Sequence, residues 1–125
     1  MIWPIYAALL ALIFVALSIR TLRIRRGLQL AVGDGGNPIM LRAIRAHGNF
    51  AEYVPLGLLL ILACEGLGAP KLLVHGLGAM LLLGRLVHAI GISRQDEVFA
   101  YRVTGMALTF TCYLTAAGFI LMRGL

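Results

Sequence analysis

Arg42, Arg45, Asn49 and Glu52 recur at intervals of three, four and three, a spacing that places all four in one narrow stripe on a helix. The stripe runs directly into the apolar residues 54–64. Hydrocarbon solvates a charge poorly, so ionisable groups within a membrane face a bundle interior or a water-filled cavity, pair with one another, or hold something polar. Guanidinium groups grip carboxylates and phosphates through paired N–H bonds, which gives orientation as well as affinity. The chemistry available to the stripe is therefore recognition of a small acidic molecule.

At about 100° per residue, Tyr53 and Leu56 fall in the same arc as these four, whereas His47 and Glu65 lie on the other side. Further along, Arg85 and His88 share a helical face with Gly78 and Leu81, and Arg102 aligns with Gly105, Thr109, Cys112 and Tyr113. Three segments thus offer one polar face each. Glu52 and Arg85 read equally well as an ion pair that fixes helix register inside a bundle. His47, His75 and His88 show no metal-ligand spacing and no carboxylate cluster beside them, so no metal is expected. Cys64 and Cys112, isolated in apolar runs, read as small buried residues rather than a disulfide.

The segments that must position these residues are apolar. The chain has 125 residues, of which 61% are hydrophobic and 13% charged, and a mean hydropathy of +0.94. Soluble domains average roughly half apolar and a quarter charged, so this composition is that of a membrane protein. Four spans of roughly 20 residues use up nearly the whole length. The expected fold is an all-α, integral-membrane four-helix bundle in one domain over 1–125, with helices at about 2–26, 39–65, 72–92 and 98–122. A net charge of +6 comes without an aromatic-interleaved basic surface, which argues against nucleic acid and for anionic lipid headgroups or an anionic ligand.

The first span carries no charge and is followed at once by Arg20, Arg23, Arg25 and Arg26. That order is the reverse of a signal peptide and predicts an uncleaved helix. Arg20, Arg23 and Arg26 are expected to reach headgroups and set topology. Gly33, Asp34, Gly35 and Gly36 mark a loop, with Asn37 and Pro38 as N-cap and first residue of the second helix. Pro55 lies inside that helix and predicts a kink, and Gly76, Gly78 and Gly84 predict close helix approach in the third. Residues 93–97 read as a short polar link. Basic residues concentrate around the first and third loops, which are therefore expected on the cytoplasmic side.

The stretch Arg42-Ala-Ile-Arg45-Ala-His-Gly-Asn49-Phe-Ala-Glu52-Tyr53-Val-Pro55 resembles the second-helix signature of the MAPEG proteins, the membrane-associated proteins in eicosanoid and glutathione metabolism. The likeness extends over the whole chain: four apolar helices, a basic first loop with Arg25 and Arg26, and an arginine in helix three fall where that family has them. The resemblance implies a homotrimer with glutathione, as cosubstrate, bound between neighbouring subunits near the cytoplasmic face. It also implies roles. Arg45, Asn49, Glu52 and Tyr53 match glutathione-contacting positions, Arg26 matches a contact at the end of helix one, and Arg85 matches the buried helix-three arginine. Arg42 joins this binding set through its place in the stripe.

Catalytic members of the family stabilise the glutathione thiolate with an arginine at the start of helix four, and Arg102 is the candidate here. Lowering a thiol from about 8.5 to about 6.5 requires roughly 2.7 kcal/mol, and a charge pair near 4 Å at an effective dielectric of about 20 supplies about 4 kcal/mol. One arginine suffices. Val87, His88 and Ile92 stand where the leukotriene synthases have arginine or tyrosine, which directs the reading away from an eicosanoid substrate. The expected activity is a glutathione transferase or peroxidase acting on lipophilic small molecules within a bacterial inner membrane. The alternatives are a non-catalytic lipid-binding or scaffolding trimer and, ranked last, a proton-coupled multidrug transporter using Glu52.

Overall fold

The computed structural model describes residues 1–124 as four helices: α1 (Trp3–Gly27), α2 (Pro38–Gly66), α3 (Lys71–Ser93) and α4 (Phe99–Gly124). All four are long and apolar enough to cross a membrane. Among the described residues α3 packs on both α2 and α4, and α1 lies against α2 and α3 on the side away from α4. The central pair α2–α3 therefore lies between two flanking helices, α1 and α4. Leu10 is the only buried residue of α1, and large apolar side chains such as Leu12 and Leu114 point outward. In water such faces would be costly, and in a bilayer they are the lipid contact.

Local chemistry explains where the helices start and stop. Asn37 accepts hydrogen bonds from the Ile39 and Met40 amides and Pro38 follows at the first helical position, so α2 opens with the cap its sequence predicts. Arg25 donates to the Gly33 carbonyl at 2.8 Å and folds the first loop back on α1. The C-terminus of α3 presents carbonyls without helical partners and the negative end of its dipole. Two arginines meet it: Arg42 donates to the Ile92 carbonyl and Arg20 to both the hydroxyl and the carbonyl of Ser93. Arg20 thus ties α1 to α3, where the sequence pattern predicts a headgroup anchor.

The core runs along α2 and α3, with Phe50, Ile61, Val74, Leu77 and Leu81 buried against Leu10, Cys112 and Ala116. Cys64 and Cys112 are buried free thiols, as expected. Gly84 and Gly105 bring the backbones of α3 and α4 together. A Cβ on Gly105 would sit 2.6 Å from the Gly84 carbonyl oxygen, and one on Gly84 would sit 2.9 Å from that of Gly105. Gly76 has open space around it, so it contributes nothing to helix approach, contrary to expectation. Glu65, a residue without an assigned role in the sequence pattern, accepts from the Ile2 and Trp3 amides and holds the start of α1 against the end of α2.

Candidate functional site

Arg85 is the largest fully buried side chain, 1% exposed, and its neighbours are neutral. Its Nε donates to Thr109 Oγ1 at 2.9 Å, Nη1 to Asn49 Oδ1 at 2.5 Å, and Nη2 to the Gly105 carbonyl and to Met106 Sδ. Its guanidinium carbon also lies 5.0 Å from the centre of the Tyr53 ring. The close approach at Gly84 and Gly105 is what brings Thr109 and the Gly105 carbonyl within reach. One cation therefore links α2, α3 and α4. Its fork is filled by an amide, a hydroxyl, a carbonyl and a thioether, each a dipole that solvates the charge without cancelling it.

This arrangement corrects the expected Glu52–Arg85 ion pair. Glu52 instead faces Arg45 at 3.7 Å, about two helical turns earlier on α2, and both side chains are about half exposed. The face is right and the rotation is different: Asn49, between them on the stripe, turns inward to Arg85 while Arg45 and Glu52 turn outward. Tyr53 stands at the rim, near Phe110 and Tyr113. The Tyr113 hydroxyl donates to the Tyr53 carbonyl, joining α4 to α2 two residues before Pro55, through which α2 runs as a continuous helix.

A second cluster lies at the α3–α4 turn. Glu97 places Oε2 3.1 Å from Arg42 Nη1 and Oε1 3.1 Å from Arg102 Nη1, and only 12% of its side chain is exposed. Arg102 lies 5.7 Å from the Phe99 ring centre. Burial pushes the Glu97 carboxyl up, but the hydrogen bonds and charges of Arg102 and Arg42 outweigh burial and hold it below its ordinary value. Arg94 and Asp96 form a separate exposed pair on the same turn.

Seven of the eight residues selected from sequence thus come together: Asn49, Tyr53 and Arg85 around the buried guanidinium, Arg42 and Arg102 on Glu97, and Arg45 with Glu52 at the outer edge. Arg26 stands apart on the exposed end of α1, where it lines a shallow groove with Arg25 and Gln29. Glu97 is the residue that sequence reasoning missed. It sits in a link too short to show periodicity, and its one visible signal is an acidic residue five positions before Arg102 at the mouth of a basic bundle. No group of three or more metal-binding side chains exists among the described residues.

Electrostatically the two groups are unbalanced. Arg42, Arg45, Arg85 and Arg102 face Glu52 and Glu97 alone, which leaves two positive charges without protein counter-ions. A bundle end of this kind favours a ligand of matching negative charge.

Comparison with known proteins gives a consistent result. The model of the MAPEG family matches residues 3–122. Two relatives from different Escherichia coli strains, each named Inner membrane protein YecN, are 39% identical over 114 residues, which span 91% of this chain and 86% of theirs. No solved structure gives a match.

Proposed function

The chain belongs to the MAPEG family, and from that premise we propose that it binds glutathione and acts as a glutathione transferase or peroxidase on lipophilic electrophiles. The observation that carries the proposal is the charge balance. Glutathione in its thiolate form has two carboxylates, one thiolate and one ammonium, so its net charge of minus two offsets the two unmatched arginines. A dicarboxylic thiol also suits the mixture of groups. Arg42 and Arg45 take carboxylates, Glu52 takes the ammonium, Asn49 and Tyr53 fix the peptide, and Arg85 holds Asn49 in place. Arg102 stabilises the thiolate, which attacks an electrophile entering from the lipid.

The same reading makes the protein a homotrimer. Glu52 is the fourteenth residue after Pro38 on α2, about 21 Å along a helix about 43 Å long, so the half-exposed Arg45–Glu52 pair reaches from the first quarter of the helix to mid-span on the outside of a single chain. Lipid is a poor environment for it. A neighbouring copy that covers this face would provide both a polar environment and a second wall for the ligand, and in this reading Arg26 contributes from that neighbour. The name of the relatives and the positive loops one and three support an inner-membrane location with those loops cytoplasmic.

A second reading, a non-catalytic lipid-binding trimer, draws on one observation: Glu97 already offsets Arg102. Calorimetric titration of the detergent-solubilised protein with glutathione separates the two. Saturable heat at millimolar ligand, reduced in Arg45→Ala, is expected for glutathione binding. Absence of heat in folded protein would favour the lipid-binding reading.

A further inference from the structure

The Glu97 carboxylate does at this site what a ligand carboxylate would do. It gives one oxygen to Arg42 of α2 and the other to Arg102 of α4, both at 3.1 Å, a symmetric geometry that no other acidic group in the described residues has. Arg102 uses only Nη1 for this contact, so the rest of its fork remains available. The remainder of the turn is loosely held, with Gln95 exposed and the Arg94–Asp96 pair facing solvent.

We propose that Arg42 and Arg102 form a two-armed carboxylate site, that Glu97 occupies it in the unliganded protein, and that a carboxylate of an incoming acidic ligand takes its place and releases the 94–98 turn. The exchange conserves charge, since one carboxylate replaces another between the same two guanidinium groups. It also sets specificity. A ligand without a carboxylate offers nothing to compete with a residue tethered beside its site, whereas a peptide-like dicarboxylate competes with one arm and keeps the second for Arg45. The part of the Arg102 fork that Glu97 leaves unused remains open to a thiol on the same ligand. The identity of the ligand rests on the glutathione reading; the exchange itself does not.

The test places an environment-sensitive fluorophore on Gln95→Cys in the full-length protein, where Cys64 and Cys112 are buried. In this parent, glutathione and, at higher concentration, glutarate shift the emission, and the diethyl ester of glutathione does not. Adding Glu97→Gln shifts the emission before any ligand is present and lowers the Kd for glutathione about tenfold, because the site no longer has to be vacated. Ligand-free emission equal to the parent, or a Kd that is unchanged or raised, would overturn the exchange. Should Glu97→Gln fail to fold, Glu97→Asp, one methylene too short to span both arginines, is expected to shift emission and Kd in the same direction, and no shift in it would count equally against the exchange. If neither glutathione nor its ester acts on the parent, the glutathione reading fails, and the ligand-free comparison with the glutarate titration still decides the exchange.

Discussion

Asn49 on α2 accepts a hydrogen bond from the Arg85 guanidinium of α3 at 2.5 Å, and no carboxylate lies among the contacts of that buried cation. The pair sets how α2 rotates against α3. Asn49→Leu removes an acceptor from a charge 1% exposed and is expected to cost about 1–2 kcal/mol, read as a lower unfolding temperature in detergent. Asn49→Asp supplies a counter-ion, so it is expected to keep the fold and weaken glutathione binding, because one of the two unmatched charges disappears. Tighter binding in Asn49→Asp would contradict the charge-balance argument.

The Gly84–Gly105 approach places Arg85 against Thr109 and brings Arg102 alongside α3. Gly105→Ala would put a Cβ 2.6 Å from both the Gly84 carbonyl oxygen and His88 Cβ. Backbone must move, at a cost of about 1–3 kcal/mol. Gly76→Ala, with nothing within 4 Å, is expected to be neutral or to stabilise α3 by up to about 1 kcal/mol. Thermal unfolding of the two variants side by side checks the contrast.

Acid should open the α3–α4 turn. Arg102 and Arg42 hold the folded Glu97 carboxyl below its ordinary value of 4.5, so the stability it contributes is present in full above 4.5 and is lost as the pH falls through the lower folded value. The Gln95→Cys reporter is therefore expected to be flat above pH 4.5 and to shift below it. Asp96, held below 3.8 by Arg94, titrates in the same region, and Glu97→Gln separates the two: the part of the transition due to Glu97 vanishes in that variant.

Glu65 anchors the first turn of α1 through the Ile2 and Trp3 amides, where a helix N-terminus favours negative charge. Glu65→Gln is expected to speed amide hydrogen exchange at the start of α1 and to leave exchange in α3 unchanged. Equal exchange in both proteins would show that the carboxylate charge contributes little there.

The four helices were legible because each is a long apolar run bounded by breakers, and the Asn37–Pro38 start of α2 because capping chemistry is local. The stripe was legible as a face. Its rotation was not, since spacing along α2 says which residues share a side and not which of Asn49 or Glu52 meets Arg85 on another helix. That choice depends on the Gly84–Gly105 contact, which sets the depth of α4, and such long-range packing leaves no periodic signal. Glu97 and Glu65 escaped for a related reason: each lies at a helix end and acts on a group more than 50 positions away, Arg42 for the one and Ile2 for the other.

The central claim is that the arginines at the inner end of this bundle hold glutathione as a thiolate. Ultraviolet difference absorbance of the purified, folded protein on titration with glutathione at neutral pH measures that species directly. A saturable thiolate band is predicted for the native sequence, with loss of the band in Arg102→Ala at glutathione concentrations that saturate the variant. No band at millimolar glutathione, or a band of equal height in Arg102→Ala, would contradict the account.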